Sequence, residues 1–152
     1  MSGKKIKKVL FILLILVSAF TILADEILLI DRNGVYIVPV TFNDLITVDG
    51  ILDTGATEMF IPFNVIATLI QSKSITMEDI LKEGAYTLAD GSIHTKERVN
   101  IAKIVIGDTT FYNISAIVGA KNSQLLIGQN LLHTFDNYGI DNKRKILTLN
   151  NK

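Results

Sequence analysis

The sequence lacks cysteine and has no excess of either charge, and both absences exclude classes of protein. With no cysteine in 152 residues, the chain has no disulfide framework, no thiol nucleophile and no cysteine-ligated zinc. Its 15 Lys and Arg balance 15 Asp and Glu, so it lacks the basic excess with which a nucleic-acid binder neutralises phosphates. Hydrophobic residues make up 49% of the chain, which excludes a disordered protein, and the length fits one domain.

The motifs of several enzyme classes are missing as well. The two histidines, His94 and His133, do not form a His-Glu-x-x-His motif, and lone histidines are more often structural than metal ligands. The sequence contains neither Gly-x-Ser-x-Gly nor Gly-x-x-x-x-Gly-Lys. A zinc hydrolase, a serine hydrolase and a phosphate-binding loop therefore lack support.

The first 24 residues differ from the rest of the chain. Four lysines lie within residues 2–8, and residues 9–24 (VLFILLILVSAFTILA) carry no charge. This pattern is typical of a signal peptide or signal-anchor helix whose positive end stays in the cytoplasm. A 16-residue helix would span roughly 24 Å, short of the roughly 30 Å membrane core, and the sites for cleavage match only fairly, so cleavage or retention stays open. We expect a domain over residues 25–152 that is membrane-anchored through residues 9–24 or, after cleavage, periplasmic or secreted.

The pattern of residues 25–152, whose net charge is −4, predicts a mainly β domain with one or two short helices, as in a barrel or sandwich. Asn33-Gly34 predicts a hairpin turn, Pro39 places its strand near a sheet edge or bulge, and Asp49-Gly50 suggests a turn or bulge. The predicted strands are residues 27–30, 35–42, 45–52, 85–88, 93–99, 101–106, 110–118, 125–127 and 146–149. The predicted helical segments are residues 62–70, 76–83 and 129–135.

Two separated motifs carry the functional signal. Asp53-Thr54-Gly55-Ala56 follows an apolar strand, although Asp before Gly is commonly an Asx-turn that closes a strand. Leu126-Ile127-Gly128, an apolar strand ending in glycine before a predicted helix, reaches Gly128 at 75 residues beyond Asp53. Two motifs in a fixed order are more specific than either one alone.

Together the two motifs resemble those of the retropepsin-like aspartic proteases, the family of retroviral proteases and bacterial single-domain aspartyl proteases. In that family a hydrophobic-hydrophobic-Asp-Thr-Gly-Ala loop is followed downstream by a hydrophobic-hydrophobic-Gly segment that begins a helix and passes behind the loop. The resemblance covers residues 35–149, and departs from the family where Asn43-Asp44 replaces a frequent Asn-Gly. It implies the closed β-barrel of one acid-protease half.

The resemblance also implies an aspartic endopeptidase that acts on polypeptides with water as the nucleophile and with no metal or organic cofactor. Carboxylate catalysis of this kind needs two acids, of which one is ionised and the other protonated. The chain has one Asp-Thr-Gly and is too short for two lobes. Asp53 is therefore expected to be half of a catalytic pair that a homodimer completes on its two-fold axis.

The residues around Asp53 take their expected roles from the same family. Thr54 resembles the threonine whose hydroxyl bonds the partner's loop, and its alternative role is to bond its own backbone. Gly55 allows close approach of backbone and substrate, and Ala56 is small because the loop is crowded. Ile127 and Gly128 are expected to support the loop by packing.

A hairpin that covers the site is expected over residues 88–95. Ala89, Asp90, Gly91 and Ser92 resemble the tip of the family's flap, which closes over the peptide and excludes water. A plain surface hairpin is equally consistent with these residues.

The sequence is also consistent with two other kinds of protein. The same scaffold can serve as a catalytically inactive, membrane-tethered module for peptide binding or dimerisation. An unrelated exported β domain can also contain Asp-Thr-Gly by chance, but it would have to match Leu126-Ile127-Gly128 by chance too.

Overall fold

The structure, a computed structural model, describes residues 25–88 and 90–150, so the predicted N-terminal helix lies outside the described residues. Within those two ranges the chain forms eleven strands, two α-helices and a 3₁₀ turn over Met77–Asp79. The strands are β1 Asp25–Leu28, β2 Ile30–Arg32, β3 Val35–Phe42, β4 Ile46–Leu52, β5 Met59–Ile61, β6 Ile80–Thr87, β7 Ile93–Ile106, β8 Thr109–Val118, β9 Leu125–Ile127, β10 Asn137–Asp141 and β11 Ile146–Asn150; the helices are α1 Phe63–Gln71 and α2 Gln129–Leu132. None of the helices in these ranges is long and apolar enough to span a membrane.

The main sheet closes on itself. Its strand order is β2-β3-β4-β9-β5-β8-β7-β6, and an additional antiparallel pairing joins β3 to β7. Six strands (β3, β4, β9, β5, β8 and β7) therefore form a closed ring, and β2 and β6 remain outside it at the two ends of the strand order. The predicted mainly β, closed-barrel fold is confirmed.

A smaller antiparallel sheet, in the order β1-β11-β10, joins the two ends of the described chain. Leu29, between β1 and β2, donates its N–H to the Lys145 carbonyl oxygen at 2.8 Å. The strand predicted over residues 27–30 is thus divided between two sheets, because the chain leaves the small sheet at Leu29 and enters the main sheet at Ile30.

The barrel interior is one apolar core. Along β3, Val38, Val40 and Phe42 are fully buried, and each aliphatic or aromatic side chain of this kind stabilises the fold by roughly 1.5–3 kcal/mol. Helix α1 forms where residues 62–70 predicted one, shifted by one residue so that Pro62 precedes its first turn, and it buries Leu69. The core extends over all the strands that carry the candidate site.

Three sequence predictions about elements are wrong in part. The helix predicted over residues 76–83 is one 3₁₀ turn, closed by the Asp79 carboxylate, which accepts the Thr76 N–H and hydroxyl at 2.8 and 3.0 Å. Residues 80–83 of the predicted helix belong instead to strand β6. Met77 is 85% exposed, so the apolar spacing in this segment marks no buried helical face. The predicted strands 93–99 and 101–106 are one strand, β7, in which Asn100 pairs with Ser115. The last helix, predicted to end at residue 135, ends at Leu132.

The two backbone irregularities predicted in β3 and β4 do not occur. Pro39 lies in an interior strand. On one side of β3 the pairing with β2 ends at Ile37 and the pairing with β7 starts at Val40, so Pro39 lies between the two partners. A residue without an N–H is accommodated in that gap. Gly50 continues the regular β3–β4 register, and its missing Cβ leaves room for the Leu125 side chain. The Asn33-Gly34 turn forms as predicted, with positive φ at both residues.

Candidate active site

Asp53 is the first residue beyond β4, at the point where β4 ends beside β9. The two strands run parallel, with Leu52 opposite Ile127. The Asp53 N–H donates to the Ile127 carbonyl oxygen at 3.1 Å, so the sheet bonding continues one residue past the strand. This bond fixes the backbone of a half-buried acid at the mouth of the barrel.

The loop from Asp53 to Ala56 is a tight turn. The Gly55 N–H donates to Asp53 Oδ1 at 2.9 Å, and the Ala56 N–H donates to the Asp53 carbonyl oxygen at 3.2 Å. The Asx-turn that the sequence suggested is therefore present, and it holds one carboxylate oxygen in place. Among the residues that the structure describes, Oδ2 of Asp53 has no hydrogen-bond partner. Thr54 and Gly55 are exposed at the tip of the loop.

The Gly128 segment passes directly behind this loop. The Gln129 N–H donates to the Ala56 carbonyl oxygen at 2.8 Å, and the Asn130 N–H donates to the Thr57 carbonyl oxygen at 3.0 Å. A Cβ at Gly128 would overlap the Glu58 carbonyl oxygen and would lie 3.0 Å from that of Ala56. The structure thus brings Ile127, which is buried, and Gly128 against the loop.

Two polar side chains that sequence reasoning missed tie the loop to its surroundings. Asn130 accepts the Met59 N–H at 2.9 Å and donates to the Ser115 carbonyl oxygen at 2.7 Å. Gln129 donates from Nε2 to the Thr54 carbonyl oxygen at 2.8 Å. The signal that could have found them is a pair of amides directly after Gly128, inside an otherwise apolar segment.

The flap candidates lie at the tip of the long β6–β7 hairpin. The Leu88 N–H donates to the Ser92 carbonyl oxygen and the Gly91 N–H to that of Leu88, both at 2.9 Å, and Gly91 has a φ of +83°. Asp90 Oδ1 accepts the Ser92 hydroxyl at 2.7 Å and the Ser92 N–H at 2.9 Å. Ala89, the fourth candidate, lies outside the described residues.

The hairpin packs against β5, the strand that follows the Asp53 loop. Tyr86 makes an edge contact with Phe60, with ring centroids 6.1 Å apart, and stacks on His94 at 5.6 Å. These aromatic contacts connect both strands of the hairpin to β5.

The hydrogen bonds from Ser92 to Asp90 hold the pKa of that carboxyl below its ordinary value, first through the hydroxyl and then through the N–H. Because the folded-state pKa is lowered, this contribution to the tip is present above the ordinary value of about 3.9 and is lost as the pH falls through the folded-state pKa. We expect the side-chain carboxyl carbon resonance of Asp90 to titrate with a midpoint below the ordinary Asp value. An NMR titration measures this, and movement centred at or above the ordinary Asp value would contradict it.

No group of three or more His, Asp or Glu able to hold a metal occurs within residues 25–88 and 90–150. A cleft of about 530 Å³ lies near the start of β8, and its lining includes Asp25, Asp108, Tyr112 and Phe135. It contains none of the residues of the Asp53 loop.

Comparison with known proteins places these features in context. The family described as "gag-polyprotein putative aspartyl protease" matches residues 38–134, which include the Asp53 loop and the Gly128 segment. The crystal structure of a retropepsin-like aspartic protease from Rickettsia conorii matches with a TM-score of 0.60 and 24% sequence identity, over 84% of this chain and 92% of that chain. That likeness establishes the fold. No curated protein matches the sequence.

Proposed function

The chain belongs to the gag-polyprotein aspartyl protease family, and from this premise we propose that it is an aspartic endopeptidase in which Asp53 is the catalytic acid. The observation that carries the proposal is the geometry of the Asp53 loop. One carboxylate oxygen is fixed by the Gly55 N–H at 2.9 Å, and the loop is supported from behind by two backbone hydrogen bonds from the start of α2. A carboxylate held in this way is positioned before substrate arrives.

Peptide hydrolysis at this site requires a second carboxyl group. An ionised carboxylate takes a proton from water, and the water oxygen attacks the peptide carbonyl carbon while a protonated carboxyl donates a hydrogen bond to the carbonyl oxygen. Two carboxyls about 3 Å apart share one proton, because both cannot be ionised at that separation. Since the chain has one Asp-Thr-Gly, we propose that the second carboxyl is Asp53 of another copy.

The exposure of the loop tip supports a dimer in which two loops meet. Thr54 and Gly55 are exposed, and the Thr54 hydroxyl makes no hydrogen bond to any residue that the structure describes. The role in which Thr54 bonds its own backbone is therefore not used here.

Gln129 also joins the loop to β10, because its Nε2 lies 3.1 Å from the Tyr138 hydroxyl as well as 2.8 Å from the Thr54 carbonyl oxygen.

The β6–β7 hairpin is proposed to close over the bound polypeptide. Its tip carries two exposed apolar side chains, Leu88 at 46% and Ile93 at 71%, which would be covered when the hairpin contacts substrate or a second hairpin. Closure of this kind excludes water other than the nucleophile.

The proposed activity is tested by incubating the purified 152-residue chain, in mild detergent, with a diverse peptide library between pH 3 and pH 7. We expect cleavage whose rate per chain falls on dilution, because dissociation of the dimer separates the two carboxyls. A chain that is dimeric by sedimentation and cleaves no peptide would reject the endopeptidase and favour the inactive peptide-binding module.

Replacing Thr54 by Val should weaken the dimer. Valine keeps the shape of threonine and removes the hydroxyl, so two symmetry-related hydrogen bonds across the two-fold axis are lost and the dimer dissociation constant rises at least about tenfold. Thr54→Ser keeps a hydroxyl and should stay close to the original chain. Sedimentation equilibrium measures both, and a Val variant that dimerises as well as the Ser variant would exclude this role of Thr54.

For residues 1–24 we propose a signal peptide or signal-anchor that places the catalytic domain on the outer side of the membrane. Added protease should degrade the domain in spheroplasts without permeabilisation. Protection until the membrane is broken would place the domain in the cytoplasm instead.

A further inference from the structure

The β6–β7 hairpin is attached to the active-site loop by a shielded ion pair. Glu58, five residues after Asp53, accepts hydrogen bonds on Oε2 from Arg98 Nε at 3.0 Å and Nη2 at 2.7 Å. Arg98 lies on β7, and the two side chains are 28% and 25% exposed. The other ion pairs within the described residues are more exposed, with both members between 34% and 64%.

The same guanidinium reaches a third element that also supports the loop. Arg98 Nη2 donates to the Ser115 hydroxyl on β8 at 3.2 Å, while the Ser115 carbonyl oxygen accepts Asn130 Nδ2 at 2.7 Å. Asn130 in turn binds the Met59 N–H, directly after Glu58. The contacts thus form a connected set from the hairpin, through Glu58 and Ser115, to the segment behind Asp53.

The hairpin backbone is shaped to receive this arginine. A Cβ at Gly84 on β6 would lie 2.5 Å from Arg98 Cδ, so the Arg98 side chain packs against β6 in space that a side chain at this position would fill. The β6–β7 pairing also shifts register between Leu81 and Gly84, beside the position at which Leu81 faces Arg98. The glycine and the register irregularity occur at the same place. They indicate that the backbone of the hairpin is shaped around the Arg98 side chain, which is not expected for an ordinary surface ion pair.

We propose that Arg98 is a positioning residue, which through Glu58 sets the orientation of the β6–β7 hairpin over the Asp53 loop and so controls the closure of the hairpin on substrate. This inference rests on the proposed peptidase function. Arg98 does not touch the reacting atoms. Its guanidinium restricts the base of the hairpin, while the tip is left to move.

The expected consequence of Arg98→Gln is a loosened hairpin on an intact barrel. We expect amides of residues 80–88 and 90–97 to exchange about tenfold faster, with the exchange of β3 and β4 unchanged. For a peptide substrate we expect kcat/KM to fall about tenfold, mainly through a higher KM, because hairpin closure contributes binding energy before the chemical step. Arg98→Lys, which keeps the charge but not the two-nitrogen contact, should recover part of both effects.

The matched control is Arg144→Gln. Arg144 Nη2 binds both carboxylate oxygens of Glu26 at 2.9 and 2.8 Å, but that pair joins β1 to the turn before β11 and is 55% and 47% exposed. Its loss should change neither hairpin exchange nor kinetics. Glu58→Gln, which removes the charge from the other side of the shielded pair, should reproduce Arg98→Gln and serves as the second variant if the arginine variant fails to fold.

The outcomes separate the two levels of the proposal. If Arg98→Gln and Glu58→Gln both match Arg144→Gln in exchange and kinetics, the inference is wrong. Faster hairpin exchange with unchanged kcat and KM would mean that the pair is only structural, which also rejects it. If the original chain shows no Asp53-dependent cleavage, the proposed function fails, whereas the exchange measurement still decides whether the pair restrains the hairpin.

Discussion

The Asp53→Asn variant is expected to lose peptide hydrolysis by a factor of about 10⁴ or more in kcat/KM, with its fold and dimer retained. The amide is nearly isosteric and can still accept the Gly55 N–H on its oxygen, so the loop keeps its turn. It cannot take a proton from water at any working pH, and therefore the general base is lost. Initial rates and thermal unfolding, measured on the same preparation, check both parts.

The chain offers a matched control on the same strand. Asp49 lies on β4 and pairs with Arg32 at 3.1 Å, with both side chains at least half exposed. Asp49→Asn removes a carboxylate and a surface ion pair, so we expect activity within about twofold of the original chain. If Asp53→Asn were as active as Asp49→Asn, Asp53 would not be the catalytic acid.

Mixing the original and Asp53→Asn chains in equal amounts tests the shared site. When subunits exchange freely, about a quarter of the dimers carry two aspartates, so the activity should fall to about a quarter of that of the same total amount of original chain. Independent sites on each chain would leave about half. The mixing ratio can be varied to separate a quadratic from a linear dependence.

The Gly128→Ala variant is the second large expected effect. Its methyl group would overlap the Glu58 carbonyl oxygen and would lie 2.5 Å from the carbon of that carbonyl, so the backbone behind the loop must move. We expect a loss of about 2–4 kcal/mol in the free energy of unfolding, as for other overpacked buried sites. In the fraction that folds, displacement of the Ala56 and Thr57 carbonyls, which α2 binds, should lower kcat/KM by about 10²-fold.

Gly139→Ala provides the comparison for Gly128→Ala. Apart from Gly139 itself and its two neighbours in the chain, no atom of the described residues lies within 4 Å of the position that a Cβ at Gly139 would occupy, and Gly139 does not have a positive φ. The same chemical change should therefore be close to neutral in urea denaturation. Equal stability and activity of the two alanine variants would contradict the packing of Gly128 against the loop.

Much of the barrel could be predicted because its signals are local. The strand over residues 35–42 and the turn at Asn33-Gly34 follow from β-branched alternation and from residues that accept positive φ, and both form as predicted. Asn43-Asp44, the departure from the family's frequent Asn-Gly, also has positive φ at both residues. Asn43 is held by its side chain, which accepts the Lys103 N–H at 3.0 Å and donates to the Ser74 carbonyl oxygen at 3.1 Å.

Two of the errors arise where residues distant in sequence decide the local structure. Asn100 is polar and was predicted to separate two strands, but its place opposite Ser115 keeps β7 continuous over 14 residues. Pro39 predicted a sheet edge or bulge. An interior proline is accommodated because, on one side of β3, the pairing with β2 ends at Ile37 and the pairing with β7 starts at Val40. Neither pairing can be read from the surrounding sequence.

Part of the candidate site could be predicted from motifs, and part is seen only in the folded structure. Asp53 and Gly128 are found from their motifs, and the structure brings their segments together through α2. Their catalytic and supporting roles stay predictions. Arg98 and Glu58 belong to no motif and lie 40 residues apart, so only the folded barrel reveals their contact.

The smaller sheet has a consequence for the order in which the chain can fold during synthesis. Strand β1 pairs only with β11 among the described strands, with Asp25 opposite Leu149 and Leu28 opposite Ile146. Strand β1 can therefore pair only after β11 is present. Closing so long a loop is slow, because the chain loses conformational entropy before the two strands make contact. Until β11 is available for pairing, β1 remains an unpaired strand open to association with other chains or chaperones.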